Sequence, residues 1–144
     1  MKNDNDHIAK ASVAIDAPVD KVWEALVNPA IIQQYMFGTT VKSSWKPGSP
    51  ITWKGEWKGK SYEDKGEILE VVPEHHLKYS HYSPLTGEPD VPESYHHVTI
   101  DLIEEKDKVR VALSQDNNGN EEARAHSEKN WKTMLEGLKK VVES

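Results

Sequence analysis

The spacing of apolar residues changes abruptly near Asp116–Asn120, and that change leaves the chain few ways to fold. From Thr39 to Asp116 the apolar positions recur with a period of two, as in strands with one buried face. From Glu121 to Ser144 the spacing is helical. Ala123, Ser127, Trp131, Met134, Leu138 and Val141/Val142 share one face, with Leu135 beside them, and Gly137 is the only breaker. At 3.6 residues per turn this predicts an amphipathic helix of about six turns. A run of strands closed by one long helix implies a curved sheet with the helix across its concave face. Such a layer pair often encloses a cavity.

Within the alternating region, KPGSP (46–50) reads as a turn and ITWKGEWK (51–58) as a strand with Ile51, Trp53, Gly55 and Trp57 on one side. GK (59–60) marks a hairpin. Ser61–Val72 is a longer strand with Gly66 as its expected bulge, ended by Pro73. Leu77–Tyr82, Tyr95–Glu104 and Val109–Asp116 follow, the last two joined by EKDK (105–108). Ahead of the sheet, Ile8–Ile15 reads as a first strand. Pro18 then opens a helix whose apolar face is Val19, Val22, Trp23, Leu26 and Val27. Asn28-Pro29 breaks it and starts a second short helix that Gly38 ends, because Asn caps well and Pro fits a first turn. NNGN (117–120) is a turn, with Asn120 the cap of the last helix. The order is strand, two short helices, six strands and a long helix, an α+β domain with a curved antiparallel sheet of about seven strands. A polar tail at residues 1–7 and one domain at 8–144 are expected.

Charge and composition exclude several roles. The formal charge of −6 disfavours nucleic acid and anionic membranes, both of which call for a basic face. No stretch approaches the roughly 20 apolar residues of a bilayer span. Cysteine is absent, which removes disulfides, thiolate nucleophiles and thiolate metal sites. The start, MKNDNDH, shows no signal-peptide pattern, so a cytoplasmic protein is expected. Seven histidines invite a metal reading. Yet His75-His76 and His96-His97 are strand neighbours pointing to opposite faces, and no H-E-x-x-H or carboxylate cluster accompanies them. No metal and no cofactor are expected.

Strand phase points to a different constellation. Leu77 fixes the buried phase of its strand and carries Tyr79 and His81 inward, with Tyr82 outward. Val98, Ile100 and Leu102 take His96 inward and His97 outward; Val109, Val111 and Leu113 bring Gln115 inward. These polar groups stand over a floor of Trp53, Ile100 and Leu113. Trp131 and Met134 face them from the long helix. The candidate ligand-binding set is Trp53, Tyr79, His81, His96, Gln115, Trp131 and Met134. The same groups could instead hydrogen-bond one another and steady the strand ends. Trp45, Trp53 and Trp57 could form a stacking platform for an aromatic ligand, or for a single strand of nucleic acid were the charge not acidic. No catalytic residue is assigned, because no nucleophile–base–orienter set is visible. Asp64 would face inward with Tyr62 unless a bulge at Gly66 reversed the phase. Ser83–Pro92 holds three of the eight prolines and reads as a stiff lid or docking edge.

Several segments carry a family resemblance. IDAPVDKVWEALVNP (15–29), the PG and W of residues 47–53, and YEDKGEILEVVP (62–73) resemble the START-like SRPBCC superfamily. YSHYSPLTGEPDVPESYH (79–96), QDNN (115–118) and HSEKNWKTMLEGLKK (126–140) resemble bacterial single-domain proteins related to the C-terminal domain of the activator of the ninety-kilodalton heat-shock protein's ATPase. The likeness runs from about Val13 to Val142. It implies a helix-grip fold with a cavity that takes a small hydrophobic or aromatic molecule. It leaves open a chaperone as partner and a polyketide-cyclase-like activity. The eukaryotic activator also has a separate chaperone-engaging N-terminal domain, for which these 144 residues are expected to leave no room. A monomer or weak homodimer is expected.

Overall fold

The computed structural model describes residues 7–36, 38–57, 59–84 and 87–144. Of the tail expected at residues 1–7 only His7 falls among them, and Leu85 and Thr86 of the proline-rich loop lie outside them. The elements are β1 (Ala9–Ile15), α1 (Val19–Val27), α2 (Pro29–Tyr35), β2 (Thr40–Ser43), β3 (Pro50–Trp57), β4 (Lys60–Val72), β5 (His76–His81), β6 (His96–Glu105), β7 (Lys108–Gln115) and α3 (Glu121–Glu143). The strands form one sheet in the order β1-β7-β6-β5-β4-β3-β2, every neighbouring pair antiparallel. The chain's first strand therefore closes the sheet beside its last, and the two short helices span the crossover to the opposite edge.

The helices begin where side chains can meet free N–H groups. Asn28 accepts from the Ala30 N–H at 2.9 Å, with Pro29 in the first turn, and Asn120 accepts from the Ala123 N–H at 2.8 Å. The two ends of α3 are held differently. Met134, Leu135, Leu138 and Val142 are buried in the core with Ile15, Val22 and Val111, whereas no residue before Met134 is fully buried. Side chains of α3 also meet outward main-chain groups of the edge strand β1. Glu128 accepts from the Lys10 N–H at 3.0 Å, Lys139 donates to the Ala14 carbonyl at 2.8 Å, and Glu143 accepts from the Asp16 N–H at 2.7 Å. An edge strand covered in this way has fewer free groups for unwanted pairing.

The bulge in β4 is at Leu69, not at Gly66 as the sequence suggested. Ile68 pairs with Tyr79 but Glu70 pairs with Lys78, so Leu69 is the extra residue. Gly66 serves another need. Its α-carbon approaches β5 so closely that a β-carbon there would stand 1.8 Å from the Ser80 carbonyl oxygen. The β3–β4 register is unbroken from Pro50↔Glu67 to Trp57↔Lys60, so Tyr62, Asp64, Gly66 and Ile68 keep one phase. That phase is inward, since Trp53, opposite Asp64, and Ile68 are both buried.

The loop after β5 lies on the convex face. Tyr82 points outward as expected, yet it is buried: its ring stacks on Tyr95 with centroids 5.2 Å apart, and its hydroxyl donates to the Glu88 carbonyl at 2.6 Å. Tyr95 donates to Asp90 at 2.7 Å, and Asp90 pairs with Lys65 on β4. Asn117, at a left-handed φ of 60° that asparagine tolerates, ties down the end of the loop by donating to the carbonyls of Glu93 and Tyr95.

The Gly66 contact is testable. Because the obstructing atom belongs to the main chain, Gly66→Ala has to push β4 and β5 apart, and it should destabilise the protein by about 3 kcal/mol. Urea unfolding reads this as a lower midpoint at similar slope; an unchanged midpoint would show that the close approach is dispensable.

Candidate ligand site between the sheet and the long helix

Three inward-facing stretches converge beside the first half of α3. On β3, Trp53 is nearly fully buried. Opposite it on β4, Asp64 turns a carboxylate inward, and Tyr62 lays its ring over Gly55, where a β-carbon would come within 2.6 Å of the phenol oxygen. On β5, Tyr79 tilts against Trp53 with centroids 5.3 Å apart, and His81 meets the same indole edge-on at 4.9 Å. Asp64 Oδ2 is 3.0 Å from His81 Nε2. The hydroxyls of Thr39 and Tyr62 lie 2.8 Å apart. Asp64 Oδ1 is buried and has no hydrogen-bond partner among the described residues.

That oxygen belongs to a residue lining a cavity of about 80 Å³, walled by Met36, Thr39, Trp53, Tyr62, Asp64, Tyr79, His81 and Trp131. A second, mainly apolar space of about 30 Å³ involves Ile32, Tyr35, Trp45, Ile51, Ile100 and Met134, and shares Met36, Trp53 and Tyr79 with the first. The two spaces are thus divided by three side chains, one of them a flexible methionine. Burial pushes the phenol pKa of Tyr79 well above its ordinary value, and burial followed by the proximity of Tyr79 does the same for Tyr35. Both remain neutral phenols at physiological pH. Tyr35 spends its proton on the Ala25 carbonyl at 2.7 Å.

Of the residues expected at a ligand site, Trp53, Tyr79, His81 and Trp131 line the larger cavity and Met134 the smaller. His96 and Gln115 line neither. His96 Nδ1 is 2.9 Å from the Asp116 carbonyl, and its ring centroid lies 6.4 Å from that of His81. Gln115 accepts a hydrogen bond from the Trp131 indole N–H and donates to Asn118. Asn118, itself buried, accepts from Ser127 at 2.7 Å and donates to the His7 carbonyl at 2.6 Å. These groups fasten the first half of α3 to the end of β7, and Gln115 holds Trp131 where it walls the cavity. Trp45 and Trp53 both face the smaller space; the Trp57 side chain lies outside the described residues. The proline-rich loop is no lid over these spaces, for none of its described residues lines either.

Asp64, Tyr62, Thr39 and Met36 complete the site. The first two were legible in principle from the two-residue alternation of β4, which the expected bulge at Gly66 obscured. The hairpin turn also lies one residue before the expected 59–60, since Trp57 pairs with Lys60, and this sets Asp64 rather than Gly66 opposite Trp53. Thr39 and Met36 carry no comparable pattern. Chemically, the arrangement offers a carboxylate with one oxygen free to accept a hydrogen bond. The other oxygen orients an imidazole, and an aromatic wall stands beside both. Among the described residues no group of three or more histidines and carboxylates is placed to hold a metal ion.

Comparison with known proteins agrees with this architecture. A family model for proteins described as activator of Hsp90 ATPase homolog 1-like matches residues 16–143. The solution structure of ChR145 from Cytophaga hutchinsonii is 63% identical, covering 94% of this chain and 93% of that one, with a TM-score of 0.84. The Aha1 dimer from Colwellia psychrerythraea shares 17% identity over 94% of this chain and 96% of that one, at a TM-score of 0.74. CalU16 from Micromonospora echinospora shares 21% over 94% and 83%, at 0.72. The last two likenesses speak for the fold alone. No match is found among the curated proteins. With its helix gripped by a curved seven-stranded sheet and the family matched from residue 16 to residue 143, the chain belongs to the activator of Hsp90 ATPase homolog 1-like family, within the START-like SRPBCC superfamily.

Proposed function

We propose that the protein binds a small, mainly apolar or aromatic molecule that carries one hydrogen-bond donor. The observation behind this reading is Asp64 Oδ1, without a partner among the described residues and buried beside a cavity with tryptophan walls. Buried polar atoms are nearly always paired, and an unpaired carboxylate oxygen is expensive, so a donor from outside the chain is the natural complement. Trp53 and Trp131 give flat surfaces for the ligand's body. The cavity of about 80 Å³ is tight. An apolar cavity of about 150 Å³ accommodates benzene. A ring-sized ligand therefore needs a wall to move, and Met36, an unbranched and adaptable side chain, stands between the two spaces.

Titration with benzylamine, benzyl alcohol and toluene, followed by amide and indole NMR shifts, tests this reading. The two donors should perturb Trp53, His81 and Trp131, and Asp64→Asn should weaken benzylamine by about tenfold, as expected for loss of a charge-assisted bond. If toluene binds as well as the donors and Asp64→Asn changes nothing, the carboxylate has no part in recognition. If none of the three shifts these residues, the ligand reading fails.

The description of the matched family favours a second reading, contact with a chaperone of the heat-shock protein 90 class. It predicts that adding the protein raises the ATP hydrolysis rate of a bacterial chaperone of that class. A rate unaffected at saturating protein would reject it.

A further inference from the structure

The edge of β1 is covered by side chains of α3 at Lys10, Ala14 and Asp16 but left open at Ser12, and it carries features that the cavity does not use. A groove of about 460 Å³ runs between β1 and α3, lined by Lys10, Ser12, Ala125, Glu128, Lys129 and Lys132 among others. On the other side of the same strand a second groove, of about 470 Å³, shares Lys10 and Ser12 and is bounded by the small residues Ala112 and Ser114. Ser12 is therefore approachable from both sides.

The electrostatics of the first groove run against those of the whole chain. The protein is formally −6, yet three lysines gather here, and none of Lys10, Lys129 and Lys132 forms an ion pair among the described residues. The one carboxylate lining the groove, Glu128, is already committed to Arg124 at 2.6 Å and to the Lys10 N–H. What remains is three exposed lysines in one groove, none of them in an ion pair among the described residues.

The main chain offers a second, independent point of attachment. Lys10, Ala14 and Asp16 each present an outward main-chain group to a side chain of α3. By the alternation of a strand, Ser12 shares that outward phase. Among the described residues, however, no side chain meets its N–H or carbonyl. A single small anion would satisfy the lysines but could not both accept from and donate to Ser12. Another main chain in extended conformation does both, as when a peptide adds to a sheet edge.

We propose that this edge docks an acidic, extended polypeptide segment. Its carboxylates pair with Lys10, Lys129 and Lys132, and its main chain pairs with Ser12. The inference is independent of the ligand cavity, because none of these residues lines it.

The test uses the intact protein and a short fluorescent peptide of alternating glutamate and valine, read by anisotropy. Binding should weaken as salt rises, and a lysine–valine peptide should not bind. The doubly reversed variant Lys129→Glu/Lys132→Glu, altered only at exposed helix positions, should lose about tenfold in affinity. Ser12→Pro removes an outward donor without removing a bond to β7, a change edge strands tolerate. With the fold verified by circular dichroism it should also weaken the peptide; should it not fold, the lysine pair and the salt series carry the test alone. Equal binding by both variants overturns the proposal. So does complete competition by inorganic phosphate, which would mark a small-anion site, or tighter binding of a single-stranded DNA oligonucleotide.

Discussion

The arrangement depends on one apolar contact, the second half of α3 against the concave face of the sheet. Met134, Leu135, Leu138 and Val142 are buried there, and burying side chains of this size contributes about 1.5–3 kcal/mol each. The first half of the same helix has no such anchor. It is held by the Asn120 cap, by Ser127 on Asn118, by the Trp131 indole on Gln115 and by Glu128 on the Lys10 N–H, bonds worth about 1 kcal/mol each after exchange with water. The helix is thus clamped at one end and latched at the other. Local opening favours the weaker end, and that is where Trp131 walls the cavity.

Much of this architecture was legible because strand alternation, caps and hairpins are local rules. Asn28 and Asn120 cap the helices they precede, and the strand phases of Leu77, Val98 and Val111 hold. The failures came where one strand's geometry depends on its neighbour. Gly66 looked like a bulge because glycine in a strand signals either a kink or a close approach, and sequence alone does not separate the two. The close approach won, and the kink went to Leu69, a residue with no special backbone preference. That displacement kept Asp64 inward beside His81, the pairing that sequence reasoning could not secure.

A second kind of failure concerns what facing inward means. His96 and Gln115 have the inward phase, yet the end of the sheet they face is filled by hydrogen bonds among Asn118, Ser127 and Trp131. Phase decides the side of the sheet; it does not decide whether the space there is empty. Tyr82 shows the converse, outward in phase yet buried, because the proline-rich loop folds back over the convex face. The most distinctive stretch of the sequence thus supplies two cavity-lining rings, Tyr79 and His81, and spends the rest of its length on a covering.

Asp64 has no evident structural need for its second oxygen. An asparagine or a leucine in this place would avoid leaving a buried oxygen without a hydrogen bond, which is costly. The donor of the proposed ligand would supply the partner that this oxygen lacks among the described residues. A different feature stands beside β1, where three exposed lysines have no ion-pair partner among the described residues of a protein of overall negative charge. Both features adjoin one turn of α3: Trp131 walls the cavity, while Lys129 and Lys132 line the outer groove. An occupant of the outer groove and an occupant of the cavity would therefore bear on the same latched half of the helix. Any coupling between them has a physical carrier in the Trp131–Gln115 hydrogen bond, the contact that ties that turn to the sheet.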